Sequence, residues 1–208
     1  MPEAERSGPG EKNHDTSLAV WDVSSPVVAG RRATLKVGIT CPSNCDLTGT
    51  RVDVYDEAGA RVGGGEIMSG PWPGTDALYW TECDVVAPPT EGEHAWNVRA
   101  ALPGDSHGHA AAMVRVLASR PPEHRVTLEV IEKGSGRPVG GVELRVGAFR
   151  TSTSDRGIAQ VEVPSGTHDM SAWKVGYELL STTTDITGDT TVRLEFATVD
   201  PRDQPYWM

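Results

Sequence analysis

An all-β protein of two tandem antiparallel sandwiches is what this 208-residue sequence predicts. Three observations carry that expectation. Apolar residues alternate with polar ones in short runs, the period of a half-buried strand. Gly (23) and Pro (15) recur between the runs, as turns between many short strands require. No stretch shows the 3.6-residue apolar period of an amphipathic helix. The length suits two sandwiches of about 100 residues each.

Residues 1–17 are polar and charged, and are expected to form a disordered tail. Residues 18–118 read as an immunoglobulin-like sandwich. Its ordered part opens at Leu18-Ala-Val-Trp21. Ala33–Thr40 then places Leu35, Val37 and Ile39 on one face, and Val52, Val54 and Tyr55 mark the next strand. Asp56-Glu-Ala-Gly59 is a hairpin turn into Arg61-Val62. The Gly/Pro-rich stretch Gly63–Gly74, with Trp72, reads as a long loop. Leu78–Trp80 and Val85–Ala87 follow as short strands. His94–Leu102 alternates around Trp96 and Val98, and His109–Leu117 closes the sandwich.

Residues 119–124, around Arg120-Pro121-Pro122, are a stiff linker, because two prolines fix φ and remove backbone donors. Residues 125–198 form the second sandwich. Its strands are Val126–Ile131, Val142–Val146, Phe149–Thr153, Ile158–Val163, His168–Lys174, Leu179–Thr184 and Thr190–Ala197, with Asp185–Asp189 as a hairpin connection. Residues 199–208 leave the last strand and end in Tyr206, Trp207 and Met208, a possible docking segment, since aromatic anchors dominate interface energy.

Turn chemistry in the second half has a recognisable order. Ser135-Gly-Arg-Pro-Val-Gly-Gly-Val142 is followed by Thr153-Ser-Asp-Arg-Gly157, then Val163-Pro-Ser-Gly166-Thr-His168, then Lys174-Val-Gly-Tyr177. This stretch resembles the transthyretin-like sandwiches, in particular the carboxypeptidase regulatory-like domains. The resemblance implies a non-catalytic spacer or docking module. The related hydroxyisourate hydrolases need a first-strand His and a terminal Tyr-Arg-Gly-Ser. Here His124 is expected just ahead of the strand and the tetrapeptide is missing, so no such activity is expected. The first half loosely resembles bacterial immunoglobulin-like domains, through Ala87-Pro88-Pro89, Gly92 and His94-Ala-Trp96.

The formal net charge is −10, and the chain is acidic on both sides of residue 120. An acidic surface repels phosphate, so nucleic acid is not expected as a partner, and membrane insertion is not expected because no apolar run approaches the roughly 18 residues that span a bilayer. The polar start lacks the apolar core of a secretory leader. A cytoplasmic location is therefore expected, or an extracytoplasmic one if a leader was removed.

Two residue groups could hold a metal. His107-Gly-His109 presents imidazoles at i and i+2, with His94 a third candidate; one strand face can carry both members of such a pair. Cys41-Pro-Ser-Asn-Cys45 with Cys83 could form a three-thiolate zinc site completed by a histidine, or a disulfide, or reduced thiols. Trp72, Tyr79, Trp80 and Trp96 invite a carbohydrate-platform reading, with Trp96 also suited to a core and Trp72 to an exposed contact. Asp185, Thr187 and Asp189 could line a calcium loop or a simple Asx turn. No nucleophile elbow, zinc-protease helix motif or phosphate loop is present. The function expected is that of a non-catalytic accessory or structural subunit binding a larger protein. The alternatives are a carbohydrate- or surface-binding module and a Cys- or His-based metal-binding protein.

Overall fold

The computed structural model describes residues 15–75, 78–102, 107 and 109–199. It divides into two compact units, residues 1–118 and 119–208. No helix occurs among the described residues, and so none is long and apolar enough to cross a membrane. The terminal Tyr206, Trp207 and Met208 lie outside the described residues, as do the first 14.

The first unit contains β1 (Ser17–Trp21), β2 (Val27–Val28), β3 (Arg32–Thr40), β4 (Arg51–Tyr55), β5 (Arg61–Glu66), β6 (Leu78–Val86), β7 (Gly92–Ala101) and β8 (Ala110–Ser119). They form one hydrogen-bonded sheet in the order β1-β3-β6-β5-β4-β7-β8-β2. The sheet wraps a core that includes Leu35, Val37 and Ile39 of β3, Val52 and Val54 of β4, and Trp96 and Val98 of β7. The period-2 alternation in β3 puts Lys36 on the opposite face, where its ammonium pairs with Asp22 at 2.7 Å.

Gly63–Gly65, expected in a loop, lies inside β5. The reason is steric. A Cβ on Gly63 would stand 2.0 Å from the Asp84 carbonyl oxygen, one on Gly64 2.3 Å from that of Val52, and one on Gly65 2.4 Å from that of Glu82. Three bare backbones let β5 press between β4 and β6; low strand propensity is offset by a fit that no side chain allows. The two short strands expected at Leu78–Trp80 and Val85–Ala87 are one continuous β6.

The second unit contains β9 (His124–Glu132), β10 (Glu143–Val146), β11 (Phe149–Ser152), β12 (Ile158–Val163), β13 (Gly166–Trp173), β14 (Leu180–Ile186) and β15 (Thr190–Phe196). A four-stranded sheet, β11-β10-β13-β14, accompanies a three-stranded one, β12-β9-β15. Between them lies a core with Val126, Leu128, Val142, Met170, Ile186 and Phe196. The pairing is not wholly antiparallel: β15 runs parallel to β9, Thr190 opposite Val126 through Phe196 opposite Glu132. Asp185–Asp189 therefore carries the chain from one sheet to the other and is no hairpin. Its carboxylates are engaged: Asp189 accepts the Arg125 backbone N–H at 2.8 Å, and Asp185 the Thr167 hydroxyl at 3.4 Å.

Candidate functional site

Registers bring three connections of the first unit to one end. Ser17 lies opposite Thr40, and Arg51 opposite both Glu66 and Ala101. The β3–β4 connection (41–50) and the described ends of the β5–β6 and β7–β8 connections therefore lie there. The first is well anchored. Leu47 is fully buried, Gly49 donates its N–H to the Ile67 carbonyl at 2.7 Å, and Ile67 donates to that of Thr50 at 3.0 Å.

Cys41 and Cys45 sit on this anchored loop, and His107 on the β7–β8 connection. The two sulfurs and a ring nitrogen of His107 all lie within 4.8 Å of one another. Cys41 is 1% exposed, while Cys45 and His107 are half-buried. Asn44, at φ 52°, turns the chain so that its N–H meets the Cys41 carbonyl at 3.0 Å. A left-handed residue is well tolerated there because it is asparagine. Burial alone would raise the Cys41 thiol. The backbone N–H groups of Ser43 and Cys45, the Cys45 thiol and the His107 ring outweigh it and bring Cys41 down to about 6. Cys45 is pushed up, first by its hydrogen bond with Cys41 and then by burial. Cys41 is thus the more acidic thiol of the pair. Two sulfurs and one imidazole are a donor set for a thiophilic cation or a redox pair.

The remaining candidates stand apart from this cluster. Cys83, expected with Cys41 and Cys45, lies opposite Leu35 inside the core, five residues along β3 from Thr40. At ~3.3 Å per residue that is about 17 Å from the cysteine loop. Burial pushes its thiol up to about 12, with Asp84 and Asp53 adding to the rise, so it is a neutral core group. His94 pairs with Val116 near the far end of β7, whereas Ala100 pairs with Ala110 at the His107 end. The separation of about 20 Å excludes a shared ion with His107. The His94 ring instead hydrogen-bonds the Thr90 carbonyl at 2.9 Å. His109 is exposed just ahead of β8 and is not in the cluster. All three clustered residues were legible in the sequence as metal candidates, but in two separate groups. The pairing of β4 with β7, which joins those groups, has no local signature.

The aromatic residues sort differently. Trp96 is a core residue, 1% exposed, and Tyr79 packs partly buried against the same core. Trp72 is half-buried, its ring centroid 6.1 Å from that of Trp21 and 4.7 Å from that of Trp80. The planes are inclined by 64° and 54°, so the rings pack on one another and do not share the plane of a sugar-stacking platform. Gly38 makes room for this stack: a Cβ there would stand 2.7 Å from the Trp21 ring.

In the second unit, Trp173, Val175 and Leu179 are 55%, 78% and 68% exposed. Ala172 lies opposite Leu180, which puts all three at the tip of the β13–β14 hairpin. By their alternation alone, Trp173 and Leu179 fall simply in strands. The signal was Trp173-Lys-Val-Gly-Tyr-Glu-Leu179, three large apolar groups flanking a Gly turn.

No protein-family model matches this chain, and no curated protein matches it. Among solved structures it is similar to the Bacillus anthracis TIE protein (TM-score 0.31, 11% identity), covering 94% of this chain and 42% of that one. It is also similar to BcpA, the major pilin subunit of Bacillus cereus (0.34, 10%; 88% and 71%). The Yersinia pseudotuberculosis adhesin InvE is a third neighbour (0.30, 14%; 86% and 61%). The chain thus spans less than half the length of the first of these. Likeness at this level carries no statement about activity, ligand or partner. With a pilin subunit and an adhesin as neighbours, the expected cytoplasmic location is corrected. That expectation rested on a polar first segment, and polarity there is compatible with either side of a membrane.

Proposed function

We propose that this chain is a non-catalytic β-sandwich module of the structural or surface-binding kind, and that it engages a protein partner through the tip of the β13–β14 hairpin. The observation that carries this reading is the exposure of Trp173, Val175 and Leu179 within seven residues. Large apolar groups gathered on a sandwich surface mark a contact surface, and Trp is among the residues that carry most of the energy of such contacts. The rest of the unit is built to hold that tip still. Tyr177 stacks on the buried Phe196 with centroids 4.9 Å apart and planes inclined by 10°, and Glu178 donates its N–H to the Ala197 carbonyl at 2.9 Å.

Within the same reading, residues 125–198 are a domain of the transthyretin-like, carboxypeptidase regulatory-like kind, and residues 18–118 an immunoglobulin-like one. The turn motifs support the former. Gly136, Gly157, Gly166 and Gly176 all have positive φ (69°, 72°, 126° and 86°), as the Gly of each motif would need.

The test is affinity capture from the native source, with the full chain and its Trp173→Ala/Leu179→Ala variant as matched baits. Both side chains are exposed, so the variant should melt within a degree or two of the parent. A specific partner held by the parent and lost by the variant is the expected result. A partner set that ignores the substitutions would overturn the assignment of the tip.

A further inference from the structure

We propose that Cys41, Cys45 and His107 bind one Zn2+ ion, through two thiolates and one imidazole nitrogen, with the fourth coordination position open. This inference is independent of the partner-binding reading, which concerns the other unit.

The donor set comes first. Sulfur and imidazole nitrogen select borderline and soft cations and are poor ligands for calcium or magnesium. The three atoms already lie within 4.8 Å of one another. Tetrahedral zinc, with bonds of about 2.3 Å to sulfur and about 2.0 Å to nitrogen, wants its ligand atoms some 3.5–3.8 Å apart. An inward movement of about 1 Å closes the site, well within rotamer adjustment of three side chains.

The surroundings suit a metal thiolate. Cys41 receives the backbone N–H groups of Ser43 and Cys45 on its sulfur, which spread its negative charge and fix its direction. The loop that carries both sulfurs is held by the buried Leu47 and by its hydrogen bonds to Ile67, so the pair is preorganised. The Cys41 residue is shielded, 1% exposed, unlike a chance surface chelate. Beside Cys41 an open cleft is lined by Asp15, Thr16, Ser17, Thr40 and Pro42, which gives water a way to a fourth position. Binding is a simple exchange: Zn2+ takes both sulfurs as thiolates, and each proton still on them leaves to solvent. The ion would tie the β3–β4 connection to the β7–β8 connection.

The experiment uses the full chain, reduced and stripped by a chelator, and titrated with Co2+ as a coloured stand-in for Zn2+. One equivalent should produce a thiolate-to-cobalt charge-transfer band and the intense visible bands of four-coordinate cobalt, and one equivalent of Zn2+ should bleach them. Cys45→Ser and His107→Gln should each weaken binding on the order of 100-fold. Cys83→Ala should leave it unchanged. Both ligand variants keep Cys41 and the loop anchors, and circular dichroism checks that they fold. Absence of saturable uptake, uptake indifferent to both ligand variants, or uptake lost in Cys83→Ala would each overturn the proposal. A Cys41–Cys45 disulfide that reforms after reduction and leaves no uptake would do the same.

Discussion

Asp53 shows how one side chain can organise a strand. It stands on β4 with a side chain 16% exposed, and it accepts from the guanidinium of Arg51 at 3.0 Å and from that of Arg61 on β5. Burial works against its charge, but the two arginines more than compensate and hold the carboxyl below the usual carboxylate range. A depressed folded pKa means that the stabilisation is complete above the unfolded value of about 3.9 and is lost as pH falls through the folded one. Asp53→Asn should therefore cost about 1 kcal/mol near neutrality. Urea melts of both proteins should run a constant distance apart from pH 7 to 5 and converge below pH 4. A gap that widens on acidification would contradict the assignment. At this scale the sequence was partly readable: a buried Trp96 and the alternating β3 core follow from period alone, whereas the partners of Asp53 depend on which strands are neighbours.

The Gly63–Gly65 run is the clearest case of an element that composition misreports. Glycine is depleted in strands, so three in a row read as loop. Their neighbours are carbonyl oxygens closer than any Cβ could stand, and only the folded arrangement of β4, β5 and β6 reveals that. Gly63→Ala should cost about 3 kcal/mol or prevent folding, the scale of a backbone clash in a packed sheet. Gly70→Ala, where a Cβ meets nothing within 4 Å, should be nearly silent. Thermal melts of the two variants decide the matter; equal losses would mean that β5 adjusts freely. The β6 strand taught the opposite lesson: Thr81, Glu82, Cys83 and Asp84 interrupt the apolar pattern, yet β3 pairs with β6 from Leu78 to Val86 without a break. Sheet neighbours decided there, not local preference.

Across the whole molecule, the β content and most strand positions were legible because period-2 patterning and Gly/Pro turns are local signals. β12, for example, is Ile158–Val163 in both readings. Topology was not. Nothing near Thr190 announces that β15 will lie parallel to β9, because parallel pairing joins strands far apart in sequence. That pairing has a mechanical consequence. The unit's first strand and its last lie side by side and point the same way. Tension applied at the start of β9 and the end of β15 would drag the two past each other lengthwise, loading every rung between Thr190 and Phe196 at once. Such a clamp yields abruptly and at high force, unlike a hairpin that unzips one rung at a time. Single-molecule stretching of residues 119–208 through their two ends should show one tall rupture peak. Val192→Pro, which removes a rung and its N–H, should lower it markedly.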